Sequence, residues 1–108
     1  MYRMTILYGA PADPVAFRRY YEETHIPIAR KMKGLTGWNL SWIDPAPSND
    51  DGAASRYILV AELYAESAEA MKSIMASPEG VRANQDLENF VTGSVEFLTG
   101  DELEVTLV

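Results

Sequence analysis

The feature that most restricts this chain is the order in which its apolar residues change period. Tyr2 to Tyr8 is rich in strand formers and stops at Gly9-Ala10-Pro11, where glycine and proline punctuate the backbone. Asp13-Pro14 then offers a helix N-cap followed by proline at the first helical position. Phe17, Tyr20, Tyr21, Thr24, Ile28 and Met32 recur at helical spacing to about Lys33. Pro27 removes an amide donor inside that helix and biases Ile26 away from helical angles, so a kink is expected at His25-Ile26-Pro27. Gly34 suits the helix stop, and Leu35 to Ile43 reads as a strand with Trp38, Leu40 and Trp42 on one face.

Arg56 to Tyr64 is apolar and strand-prone except at Glu62, the pattern of a strand covered on both faces. Ser67 caps a second helix striped by Ala68, Met71, Ile74 and Met75, and Ser77-Pro78 restarts a helical segment carrying Val81, Leu87 and Phe90. Val91 to Leu98 predicts a fourth strand. Glu102 to Val108 adds a fifth strand or a tail exchanged with another copy. Asp44 to Ser55, with two prolines and three aspartates, reads as a surface loop, either a lid or a plain connection.

The resulting order, β-α-β-β-α-β, predicts an α+β fold, a ferredoxin-like sandwich with four strands and helices on one face only. A chain of 108 residues buries only about two-thirds of its unfolded surface, so residues 1–108 form one domain around one core. The uncovered sheet face, expected to carry Trp, Leu and Val side chains, is too apolar for water. It predicts a homodimer built by two-fold packing of that face.

Zero cysteines remove disulfides, thiolate zinc sites, iron–sulfur clusters and cysteine nucleophiles, and suit a reducing cytoplasm. Sixteen acidic residues against nine basic ones give a net charge of −7, which disfavours nucleic acid and anionic lipid as partners. No apolar run reaches the ~20 residues of a membrane span, and Met4 to Tyr8 is too short for a signal-peptide core. No phosphate loop, dinucleotide glycine fingerprint, nucleophile elbow or zinc motif is present, so no cofactor is expected.

Candidate chemistry narrows to His25, the only histidine and the only side chain whose ordinary titration lies near neutrality. It is either a pocket acid–base or a satisfied structural residue. One histidine without cysteine argues against a metal site; Glu22 with His25 is equally a helix-surface contact. Tyr8, Tyr20, Tyr21 and Tyr57 come from elements that should be neighbours, and either line an apolar pocket oriented by hydroxyls or fill the core. Trp38 and Trp42 either stack a planar ligand or fill the interior of a dimer. Glu62 and Glu96 are read as ion-pair partners of Arg3 or Arg82. Arg18, Arg19, Arg30, Lys31 and Lys33 form a solvated basic face or a steering patch for an anion.

The segment Tyr20-Tyr21-Glu22-Glu23-Thr24-His25-Ile26-Pro27-Ile28-Ala29 resembles the EthD family of the dimeric α+β barrel superfamily, in a Tyr-x-x-x-His-x-Pro arrangement met by Tyr21, His25 and Pro27. Tyr8-Gly9, Gly34 to Trp38 and Ser77-Pro78-Glu79-Gly80 extend the resemblance. It implies a homodimer whose sheets pack face to face into a barrel, with a cleft between sheet and helices in each subunit. It also implies a role in degrading small organic molecules, and His25 as a functional pocket residue. The expected site is His25 as acid–base, with Tyr8, Tyr21, Trp38 and Tyr57 binding a small hydrophobic carbonyl or phenolic compound. The reaction would be oxidation, isomerisation or cyclisation without metal or nucleotide; the alternative is an accessory protein that binds such a compound without turning it over.

Overall fold

The computed structural model describes residues 1–44 and 56–108. Strand β1 (Tyr2–Gly9) leads to α1 (Pro14–Tyr20), which Asp13 caps by accepting from the Ala16 amide at 3.1 Å. The helix does not run on regularly. Tyr21–His25 form a π-helical turn, closed by the Ile26 amide donating to the Tyr21 carbonyl, and α2 (Ile26–Ala29) follows. Pro27 has no N–H to give, so the wider turn just before it takes up the mismatch and the chain continues in one direction. Gly34 then turns the chain at φ 101, a conformation that only glycine adopts freely.

Strands β2 (Gly37–Trp42) and β3 (Tyr57–Ala65) pair antiparallel, followed by α3 (Ala68–Ala76), α4 (Pro78–Asp86), a 3₁₀ turn (Leu87–Asn89) and β4 (Val95–Asp101). Ser77 ends α3 and caps α4, its hydroxyl donating to the Ile74 carbonyl at 2.6 Å and accepting from the Gly80 amide at 3.1 Å. The sheet order is β2-β3-β1-β4, all antiparallel, so β1 lies inside between two strands distant in sequence. This is the α+β ferredoxin-like sandwich.

Register assigns the faces. Met4, Ile6 and Tyr8 stand in line with Leu63, Ala61 and Leu59 of β3 and with Trp38, Leu40 and Trp42 of β2. That side is packed under the helices, where Phe17, Tyr21, Met71, Ile74, Ala83 and Phe90 complete the core. The tryptophans therefore do not lie on the uncovered face, as the sequence reading had it. Pairing with Leu63 and Leu59 sends Trp38 and Trp42 inward, a parity set by the partner strand and not by β2 itself. The uncovered face carries Arg3, Thr5, Leu7, Val60, Glu62, Tyr64, Glu96 and Leu98, a mixed surface instead of an apolar one. Arg3 lies 3.7 Å from Glu62 and 3.8 Å from Glu102 across it.

Several boundaries moved: the first helical segment ends at Ala29, short of Lys33, β2 spans Gly37–Trp42 inside the expected Leu35 to Ile43, and β4 runs past Leu98 to Asp101. β4 starts at Val95 and not at Val91, because Val91 still donates to the Leu87 carbonyl and Thr92 accepts from the Ala12 amide before the strand can form. Residues 102–108 form neither helix nor strand; Leu103, Val105 and Leu107 are 85%, 70% and 89% exposed. The expected loop at 44–55 falls, beyond Asp44, outside the described residues. The tight α3–α4 junction yields a prediction. A Cβ at Gly80 would run into the Ile74 and Met75 carbonyl oxygens, which are backbone and cannot yield. Gly80→Ala should therefore lose about 1–3 kcal/mol of stability, read from the urea midpoint at unchanged slope.

Candidate active site

The helix α4 shows its core-facing side through Gly80, Ala83 and Asp86, with Phe90 one turn further on. Three of these are small or apolar and one is a carboxylate. An ionised carboxylate taken out of water must be solvated by protein donors, and Asp86 at 5% exposure has three. Its Oδ1 accepts from the Tyr20 hydroxyl at 2.7 Å and from Asn89 Nδ2 at 2.9 Å, and its Oδ2 lies 2.8 Å from His25 Nδ1. Burial by itself raises the Asp86 carboxyl, but the bonds from Asn89, Tyr20 and His25 outweigh it and hold the group below its ordinary value.

His25, 4% exposed, sits at the end of the π turn between the rings of Tyr21 and Phe90, each centred 4.9 Å away. Burial lowers its titration below the ordinary histidine value; the bond to Asp86 and its charge offset this only in part. The imidazole is thus neutral near pH 7. A neutral ring beside an ionised carboxylate carries its proton on Nδ1 and donates it to Asp86, which leaves Nε2 as a free acceptor.

That ring lines a largely apolar cavity between sheet and helices, with Met4, Ile6, Met32, Trp38, Leu63 and Met75 among its walls. The empty space measures about 410 Å³ with its open mouth. Tyr8 and Tyr21 line it too, their rings edge to face at 5.7 Å. Burial drives both phenols well above the usual tyrosine range. The charge of Asp86 adds to this at Tyr8, and the neighbouring Tyr8 adds to it at Tyr21. Both stay protonated.

The structure therefore brings together His25, Tyr8, Tyr21 and Trp38, but not Tyr57. The β1–β3 register shifts at Gly9, which faces Tyr57 while Tyr8 faces Leu59, so one residue of β3 is extra and Tyr57 turns to the uncovered face. There its hydroxyl donates to Glu96 at 3.2 Å. Glu96 thus meets a tyrosine where an arginine was expected. Trp42 fills the interior against Phe17 and Tyr21, and Arg18 lies over it at 4.7 Å. None of the five cations of the first helical segment reaches the cavity. Asp86 escaped the sequence reading because a carboxylate is ordinarily scored as surface. Its signal was its place: three residues after Ala83 and four before Phe90, on the buried stripe of its own helix.

Among the described residues no group of three or more histidine or carboxylate side chains is placed to hold a metal ion, and no helix is long and apolar enough to cross a membrane. Comparison with known proteins agrees with the fold. The EthD domain matches residues 10–94. An uncharacterised 11.0 kDa protein from the thcB–thcC intergenic region of Rhodococcus erythropolis is 39% identical over 102 residues, 94% of this chain and 95% of that one. The crystal structure of an EthD family protein from Bacillus halodurans superposes with a TM-score of 0.85 at 28% identity, covering 95% of this chain and 99% of the other. SnoaB of Streptomyces nogalater, described as a cofactor-independent oxygenase, shares the fold with a TM-score of 0.63 at 10% identity, covering 96% and 94%.

The lowered titration of His25 has a measurable sign. The unfolded chain binds the imidazole proton more readily than the folded one, so stability is complete above the ordinary value of 6.5 and is lost as pH falls below it. Asp86 acts in a separate window, its contribution vanishing only as pH falls below its ordinary 3.8. Urea unfolding between pH 7 and 5 should show a midpoint that drops with acid in the wild type and much less in His25→Gln. Equal slopes in the two proteins would contradict the assignment.

Proposed function

The chain belongs to the EthD family, and on that premise we propose that it is a small-molecule enzyme of a catabolic or oxidative pathway, acting without a cofactor. His25 moves a proton on a small hydrophobic carbonyl or phenolic compound held in the cavity. The observation that carries this reading is the 2.8 Å contact between His25 Nδ1 and buried Asp86, which leaves Nε2 as the ring nitrogen open to the cavity its own ring lines.

Nε2 takes a proton from a carbon or hydroxyl next to the substrate oxygen. The imidazolium so formed is held by the Asp86 carboxylate, and the proton returns to another atom of the same molecule, which gives isomerisation or cyclisation. Dioxygen as co-substrate would turn the same carbanion toward oxidation; the description of SnoaB as a cofactor-independent oxygenase supports that branch for the fold. Tyr8, Tyr21 and Trp38 bound the substrate. Replacing His25 by Phe should leave ligand binding within a few-fold and reduce turnover by about 10²–10⁴. Unchanged turnover in a folded variant would overturn the proposal and leave the accessory, binding-only role.

The second element of the proposal is the homodimer, acting in the cytoplasm. Leu7, Val60 and Leu98 share the uncovered sheet face, and Thr5, buried on it, has a hydroxyl without a partner among the described residues. A second copy packed there covers the leucines and can supply the missing bond. Leu98, 53% exposed on β4, is the position to test. Leu98→Glu should sediment as a monomer at concentrations where the parent chain sediments as a dimer; a parent that sediments as a monomer would refute the assembly.

A further inference from the structure

The cavity has two polar ends, and proton transfer uses only one of them, His25 Nε2. The other consists of hydrogen-bond donors. Trp38 lines the cavity, and its indole Nε1 is shut off from solvent without a hydrogen-bond acceptor. Tyr8 and Tyr21, their rings edge to face at 5.7 Å, line the same cavity as Trp38. Each phenol retains its proton.

Donors and acceptors do not balance there. Of the two phenols only one can give its proton to the other, and the indole N–H has no acceptor among the described residues. Whichever way the hydroxyls rotate, one donor is surplus, and a buried donor is costly to leave unpaired. The cavity contents can provide the acceptor. Charge restricts what those contents are. Among the described residues no lysine or arginine lines the cavity, and the Asp86 carboxylate stands behind His25. An anionic ligand would lose its hydration with no cation to compensate and would face a like charge.

We infer that Trp38, Tyr21 and Tyr8 form the anchor for a carbonyl oxygen, and that the cavity selects uncharged ketones or aldehydes over carboxylates of the same shape. This rests on the proton-transfer reading only for the location of the ligand. Because Tyr21 and His25 are ring neighbours at 4.9 Å, a carbonyl held at the anchor brings its adjacent carbon beside the imidazole. The anchor then also faces the oxygen on which negative charge develops when that carbon loses a proton.

The two tryptophans provide the experiment. In ¹⁵N-labelled protein each gives one indole N–H signal, and Trp42 lies outside the cavity lining and serves as the internal reference. Cyclohexanone, cyclohexene and cyclohexanecarboxylate are titrated as probes, with the methyl signals of Met4, Met32 and Met75 reporting occupancy. The ketone should move the Trp38 signal downfield and leave Trp42 in place. Cyclohexene should move the methionine signals alone, and the carboxylate should bind at least about tenfold more weakly than the ketone. Trp38→Phe should lower ketone affinity about five- to tenfold without changing that for cyclohexene. Ketone binding that shifts the methionines but not Trp38, equal affinity for ketone and carboxylate, or no ketone binding at all would overturn the anchor. His25→Phe separates the two ideas: the Trp38 shift persists in it if the anchor is right, whatever becomes of turnover.

Discussion

A carboxylate on the buried side of a helix has to find its solvation inside the protein, and the arrangement around Asp86 is the consequence. Its three donors come from three places: Tyr20 at the end of α1, His25 at the end of the π turn, and Asn89 in the 3₁₀ turn after α4. Those bonds tie the first helical segment to the last one across the top of the sheet. Each hydrogen bond to a charged group contributes roughly 1.5–3 kcal/mol, yet losing one partner also strands the charge, so the cluster tolerates few substitutions. The same three bonds hold Asp86 ionised and dictate which nitrogen of His25 bears the proton.

Backbone geometry delivers His25 to that position. Pro27 cannot donate, and the chain answers with a five-residue turn that ends on His25 instead of a regular helical one. The wider turn lets Tyr21 and His25 both point inward, one toward Tyr8 and the cavity, the other between the cavity and Asp86. A wider turn that costs helical regularity here places the reactive ring, as π turns in other proteins frequently do.

Much of this was legible in the residues. Alternation and capping signals located all four strands and the helices, and the break at Pro27 followed from its missing amide. The meeting of Tyr8 and Tyr21 followed from their elements being adjacent, and the place of His25 beside them from the resemblance to the EthD family. What stayed hidden depended on partners distant in the chain. The inward turn of Trp38 and Trp42 is a property of their register with β3, and the displacement of Tyr57 comes from a single extra residue in that pairing. Asp86 required knowing that the face carrying Ala83 and Phe90 packs over His25, 61 residues away in sequence.

The central claim is that Asp86 holds a neutral His25 with its proton on Nδ1 and its Nε2 turned to an apolar cavity. The ¹⁵N chemical shifts of the two ring nitrogens, followed with pH in protein labelled at histidine, test it most directly. The account predicts a protonated Nδ1 and a bare Nε2 at pH 7, and a change to imidazolium only below the ordinary histidine value of 6.5. A ring already doubly protonated at pH 7, or one carrying its proton on Nε2, would contradict it.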